Sequence, residues 1–197
     1  KLRTLVSDTT DWINGTASKR FSAFRGDSEL NSVYLQDAWR INPTWKTILG
    51  GRFEQWSAQD GAISNASTTL AFGTREENYF SPKAALAFRA TDELTLKASL
   101  GRAVRMPTVS ELYQGTVSTQ TIVNNDPNLK PEKSWTSEWS AEQSLNDGKG
   151  LLRVTFFHED TDDALYSQTN TLVTPNITNI QNVDKIRTNG LELAYQN

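Results

Sequence analysis

The feature that most limits how this chain can fold is the rhythm of its connections. Asn42-Pro43-Thr44-Trp45, Thr91-Asp92-Glu93 and Asn146-Asp147-Gly148-Lys149-Gly150 are short and rich in turn formers, while the stretches at about 57–79, 104–133 and 164–182 are long and polar. Short and long connections therefore alternate along the chain. Turns built from Asn, Asp, Pro and Gly suit antiparallel hairpins. Polar connections of roughly 20 residues are uncommon in compact soluble domains, so three in succession need a special architecture.

Between the connections the apolar residues recur with period two. Leu94, Leu96, Ala98 and Leu100 alternate with Thr95, Lys97, Ser99 and Gly101. Ala84, Leu86 and Phe88 share a face opposite Lys83 and Arg89. Trp135, Trp139, Ala141 and Leu145 alternate with Thr136, Glu138, Ser140 and Glu142. Leu152, Val154 and Phe156 oppose Arg153 and Thr155, and Leu191, Leu193 and Tyr195 oppose Glu192. Such alternation predicts strands with one apolar and one polar face. Two less regular strands are expected at about 32–42 and 46–56, with Leu35, Trp39, Ile41, Leu49 and Phe53 outward and Asp37 on the apolar face. Residues at about 1–25 add one or two more.

Ten-residue alternating strands with short turns at one end and long loops at the other describe a transmembrane β-barrel, apolar outside and polar within. Trp39, Trp45, Trp56, Trp135, Tyr79 and Phe80 near strand ends fit an interfacial girdle. The hydrophobic share is 37%, small for a thick soluble core, yet 6 Trp, 5 Tyr and 8 Phe are too many for a disordered chain. No apolar run reaches the 18 or so residues of a membrane helix. The net charge of -3 gives no reason to expect nucleic acid as a partner.

Seven firm strands is an odd number, whereas bacterial barrels close with an even one. The chain also stops in what reads as a strand, at Tyr195-Gln196-Asn197. Hydrocarbon does not tolerate open edges, so residues 1–197 are expected to be part of a larger barrel domain.

Catalytic and metal chemistry find no support. Without cysteine there is neither a disulfide scaffold nor a thiolate site, and the lone His158 has no second His to complete a metal set. It shares a face with Phe156 and is expected at the membrane interface. Asp160, Asp162 and Asp163 lack the Gly and distal Glu of a calcium loop and read as solvated loop carboxylates. No enzyme activity, cofactor or metal is expected. Ligand contact is expected in or near the loops, where Trp56, Tyr79, Tyr113 and Tyr166 are weak candidates for stacking on a chelator or a sugar.

Four segments resemble one family, the TonB-dependent outer-membrane receptors. Leu100 to Tyr113, "LGRAVRMPTVSELY", is similar to the family's strand ending in Arg-x-Pro followed by Glu-Leu-Tyr. "NDPNLKPEKSWTSEWSAE", Asn125 to Glu142, resembles its Asn-Pro-x-Leu-x-Pro-Glu signature, with Asp126-Pro127 where Asn-Pro is common and Ser140 where Gly is frequent. "YLQDAWRINPTWKTILGGRFE" (Tyr34 to Glu54) and "NVDKIRTNGLELAYQ" (Asn182 to Gln196) are similar to two further strands. The prolines fix an extended re-entry from loop to strand. Arg102, Arg105, Glu132 and Glu138 are candidates for charge pairing within the lumen. The resemblance implies a 22-stranded barrel in the outer membrane, surrounded by its lipid and enclosing a plug, with the plug and TonB box not contained in this sequence. It further implies TonB-coupled active import of a scarce nutrient, with a ferric siderophore the commonest cargo. The competing readings are a passive porin-like channel, a barrel enzyme and a soluble β-sandwich module that binds carbohydrate.

Overall fold

Period two becomes strands, and the strands outrun the period. The computed structural model describes residues 1–9, 12–17, 20–117, 121–145 and 149–197. Its elements are β1 (Leu2–Thr9), the short β2 (Trp12–Ile13) and β3 (Thr16–Ala17), β4 (Arg20–Arg40), β5 (Trp45–Asn65), β6 (Thr69–Ala71), β7 (Arg75–Arg89) and β8 (Leu94–Arg105). They continue with α1 (Val109–Tyr113), β9 (Gly115–Val117), β10 (Thr121–Asn124), β11 (Glu132–Leu145), β12 (Gly150–Asn170) and β13 (Asn176–Gln196). Residues 146–148 of the third tight turn lie outside the described residues.

β1, β4, β5, β7, β8, β11, β12 and β13 are hydrogen-bonded in that order, each antiparallel to the next, in one sheet curled as half a barrel. The register gathers the apolar sets onto one face. Across β5, β7 and β8, Leu49 faces Ala84 and Ala84 faces Leu100, while Thr47, Leu86 and Ala98 form the next row. Across β11, β12 and β13, Trp139, Phe156 and Leu191 form one row, and Ala141, Val154 and Leu193 another. These side chains stay exposed: Leu35 is 81% accessible and Leu193 72%. An apolar face left open on a whole sheet is stable only against hydrocarbon, which makes this the lipid-facing side. Asp37 sits opposite Leu49 on this face, as the alternation predicts.

Strand length departs from expectation. β4, β5, β12 and β13 each run 21 residues, about 70 Å of extended chain, whereas an apolar belt about 25 Å tall needs roughly 9–11 tilted residues. The expected loops at 57–79 and 164–182 are therefore mostly ladder, interrupted only around residues 66–68, 72–74 and 171–175. The reason is physical: beyond the membrane both faces meet water, so nothing enforces alternation and polar residues pair as strands unannounced. Asp160, Asp162 and Asp163 accordingly lie on β12 and not in a loop. Trp56 and Tyr79 also differ from the girdle reading, since their register turns them to the lumenal face with Glu54.

Candidate functional site

The protein's own core lies at the extracellular end of the sheet, where the segment between β8 and β11 folds inward. Phe24, Trp56, Ala58, Val109, Leu112, Tyr113 and Leu129 form one cluster, each 5% exposed or less. The turn into the lumen starts at Met106-Pro107, and Thr108 then caps α1. The Glu111 amide donates to Thr108 Oγ1 at 3.2 Å and the Thr108 amide donates to Glu111 Oε2 at 2.7 Å, a reciprocal capping box. Arg105 Nη1 donates to Glu111 Oε1 at 3.0 Å. Burial by itself raises the Glu111 carboxyl, but the Thr108 amide, Arg105 and the Thr108 hydroxyl outweigh it and hold the group below the ordinary range.

Tyr113 closes the inner end of the helix. Its ring stacks on Phe72 with centroids 5.4 Å apart and lies across the backbones of Gly26 and Gly61. A Cβ at Gly61 would stand 2.4 Å from the ring, so the close approach requires glycine there. The Tyr113 hydroxyl is buried without a hydrogen-bond partner among the described residues, and burial pushes its pKa up.

The following stretch, "NDPNLKPE", ties this segment down residue by residue. Asn125 donates to the Ser110 carbonyl at 3.0 Å and accepts from the Ile180 amide at 3.1 Å, joining α1 to β13. Asp126 accepts from the Asn128 amide at 2.8 Å to set the turn. The carbonyls of Pro127 and Leu129 accept from Arg75 at 2.8 and 2.9 Å, and the same guanidinium stands 5.4 Å over the Trp56 ring. Asn182 accepts from the Lys130 amide at 2.8 Å and donates to the Asp163 carbonyl at 2.7 Å. Glu132 accepts from the Leu165 amide at 2.9 Å and lies 3.6 Å from Arg105. A parallel pairing of β10 with the start of β13 adds to the tie. The segment thus spans from β13 to β4 and β5 as a strap across the mouth of the half-barrel.

The lumenal wall below is polar and cross-linked. Lys97 and Arg153 close on Glu142 at 2.6 and 2.7 Å. Glu54, 2% exposed, is held by Arg52 at 2.9 Å and by the Ser81 hydroxyl at 3.1 Å. Among the described residues no group of three or more His, Asp or Glu side chains is disposed to hold a metal.

Of the four aromatic candidates, Trp56 is buried beneath the strap and Tyr113 within it, at 2% and 0% exposure, with no face open to a ligand. The Tyr79 hydroxyl donates to Glu77 on the lumenal face. Tyr166, 54% exposed near the extracellular end of β12, is the one that reaches solvent freely. The lumenal quartet divides too. Arg105 and Glu132 approach each other, whereas Arg102 lies opposite Trp135 on the outer face, donating to the Phe80 carbonyl at 3.0 Å. Glu138 faces the lumen and has no ion pair among the described residues. Arg75, Asn125 and Asn182 carry most of the strap's polar anchoring and were not singled out from the sequence. Asn125 and Asn182 stand first in two of the quoted motifs, a usable signal, while Arg75 has none.

A polar lumen and an apolar belt are the two faces of a membrane-barrel wall, and comparison with known proteins agrees. The family described as "TonB dependent receptor-like, beta-barrel" matches residues 2–196. The chain belongs to the TonB-dependent receptor family. It is accordingly an outer-membrane β-barrel chain of a family of receptors and not of enzymes. A probable TonB-dependent siderophore receptor of Acinetobacter baumannii, PiuA, is 24% identical over 196 residues, covering 94% of this chain and 25% of that protein. Among solved structures, the Serratia marcescens hemophore receptor HasR aligns with a TM-score of 0.71 at 13% identity, over 99% of this chain and 38% of that one. The ferric-catecholate import receptor Fiu of E. coli K12 gives 0.65 at 17% identity, over 92% and 28%. At such identities the structural likeness speaks for the fold alone. The chain spans between a quarter and two fifths of the length of these relatives.

Proposed function

We propose that this chain is part of the barrel wall of a receptor that imports a scarce nutrient, a ferric siderophore, by TonB-coupled active transport through a plug supplied from outside residues 1–197. The observation that carries the reading is the strap. A segment with its own buried core is folded into the lumen and anchored on both sides, which narrows the mouth that an unobstructed channel would leave open. The siderophore part rests on the company the chain keeps, since PiuA is named as a siderophore receptor and Fiu as a ferric-catecholate importer. Ligand contact belongs to the extracellular end; Tyr166 is exposed there but on the outer face of β12, and Tyr79, Trp56 and Tyr113 would take part only if the strap moves.

The test is uptake of radioactive iron, supplied as ferric siderophores of catecholate and hydroxamate type, by cells expressing the intact protein that carries this chain. The expected result is saturable uptake of at least one complex that stops when TonB is inactivated. Uptake that continues unchanged without TonB would contradict energy coupling, and uptake of none of the complexes would redirect the substrate to another nutrient.

A further inference from the structure

Most of the extracellular end of this half-barrel carries no charge. In a chain whose residues are 22% charged, the segments 61–74, 112–125 and 164–183 contain no Asp, Glu, Lys, Arg or His. They are the top of β5 with β6, the end of α1 with β9 and β10, and the upper parts of β12 and β13. The fold brings all three together. Gly115 packs on Ile63, where an added Cβ would stand 3.2 Å from the isoleucine side chain. β9 pairs with β10, and β10 pairs with β13 from Thr121 and Asn176 to Val123 and Thr178. Segments far apart in sequence thus make one uncharged surface across the mouth. Below it the lumenal wall is charged again, at Arg52 with Glu54 and at Lys97 and Arg153 with Glu142.

A cavity of about 530 Å³ lies within that surface, between the wall and the strap. Its volume suits a small-molecule site. Ile63 and Leu70 line it from the wall, Ile122 and Val123 line it from the strap, and Ser64 and Thr68 add hydroxyls. Every lining residue is uncharged. Among the described residues, the one ionised group hydrogen-bonded to a lining side chain is the Asp8 carboxylate, which accepts from the Ser22 hydroxyl at 3.0 Å.

A polyanion would enter such a site at a heavy cost. It would shed water without gaining a guanidinium or ammonium partner, and Asp8 would repel it. A neutral solute with carbonyl and hydroxyl groups on an apolar frame meets both parts of the lining. Ferric chelates divide on this point. Three singly charged hydroxamates balance Fe(III) and leave the complex neutral, whereas three doubly charged catecholates leave a trianion.

We propose that the cavity between β5–β6 and β9–β10 is a cargo subsite for an electrically neutral ferric chelate of hydroxamate type, and that it discriminates against the anionic catecholate class. This rests on the import reading above and narrows it from ferric siderophores in general to the uncharged ones.

The test titrates the intact protein that carries this chain, purified in neutral detergent, with a cyclic ferric trihydroxamate and with a ferric tris-catecholate, followed by quenching of tryptophan fluorescence. The neutral complex should bind more tightly by about tenfold or more, with an affinity unchanged between about 0.05 and about 0.5 M salt. Leu70 is an exposed lining residue on β6, and Leu70→Lys should weaken the neutral complex about tenfold while strengthening the trianion. That opposite response is one that misfolding would not produce. Leu172→Lys, at the 94% exposed tip between β12 and β13 and outside the lining, should change neither. Tighter binding of the trianion by the unaltered protein overturns the subsite and leaves siderophore import standing. Binding of neither complex overturns the subsite and the siderophore reading together. Equal responses to the two substitutions overturn the cavity as the place of discrimination.

Discussion

The lower and upper halves of β5 belong to one ladder but rest on different partners. From Trp45 to Phe53 the outward Leu49 and Phe53 are exposed, and Trp45 is half-buried only by its stacking on Phe88 on the same outer face. From Glu54 to Ala62 the strand contributes Glu54, Trp56, Ala58 and Ala62 to buried positions, of which Trp56 and Ala58 are covered by the strap. The lower half takes its stabilisation from hydrocarbon and needs strict alternation to do so. The upper half takes it from α1 and the "NDPNLKPE" turn, and needs shape: a glycine beneath a tyrosine ring and an arginine beneath two carbonyls. A barrel wall of this kind has one sheet and two cores, of which only the second is made of protein.

That division is open to attack by mutation. The largest effect should come from Trp56→Ala, which removes the middle of the strap's core and should weaken strap docking by about 3–5 kcal/mol. Hydrogen exchange over residues 106–131 should rise while heat-modifiable mobility of the barrel stays intact; loss of both together would show that the two cores are one. Next, Leu100→Arg near the middle of β8 should cost about 2–4 kcal/mol in lipid-bilayer folding, whereas Ser99→Arg on the lumenal face of the same strand should be nearly silent. Equal costs would mean that the facing is misassigned.

Arg75→Ala follows, since it strips the carbonyls of Pro127 and Leu129 of a charged donor and should loosen the strap by about 1.5–3 kcal/mol, read as protease sensitivity near residues 126–130. The smallest effect is in the cap. Thr108→Ala should cost about 1 kcal/mol. Because the folded-state pKa of Glu111 is depressed, its contribution is complete above the unfolded carboxyl value of about 4.3 and fades as the pH falls through the lower folded value. Strap docking should therefore weaken on acidification below about 4.3, and Glu111→Gln should flatten that response.

The same division explains what could be read in advance. Strands 83–89, 94–101, 134–145 and 151–156 were legible because hydrocarbon makes every second residue apolar. The facing of Asp37 and of His158 beside Phe156 followed from the same parity. The upward extensions of β5, β12 and β13 were not legible, since polar residues pair as strands in water without a periodic mark. Eight long strands stand in the sheet, the seven read firmly from the alternation and β1 in the opening stretch where one or two more were expected. In the site, Arg105 and Glu132 could be named from their motif because the strand end brings them together. Arg102 was named with its motif neighbours against the parity of its own strand, which puts it on the outer face with Ala98 and Leu100. The burial of Trp56 and Tyr113 depends on an inward-folded segment more than 40 residues away from Trp56 in sequence, and no local pattern announces such a contact.

The most direct test of the account is a lipid-accessibility scan along β8. The described chain contains no cysteine, so single cysteines at Leu94 through Gly101 in the intact protein can each carry a spin label without interference from this region. The account predicts collisions with oxygen dissolved in the bilayer at Leu96, Ala98 and Leu100, and collisions with a water-soluble relaxation agent at Thr95, Lys97 and Ser99. A profile without period two, or one with the two sets exchanged, would contradict the claim that this sheet is the wall of a membrane barrel.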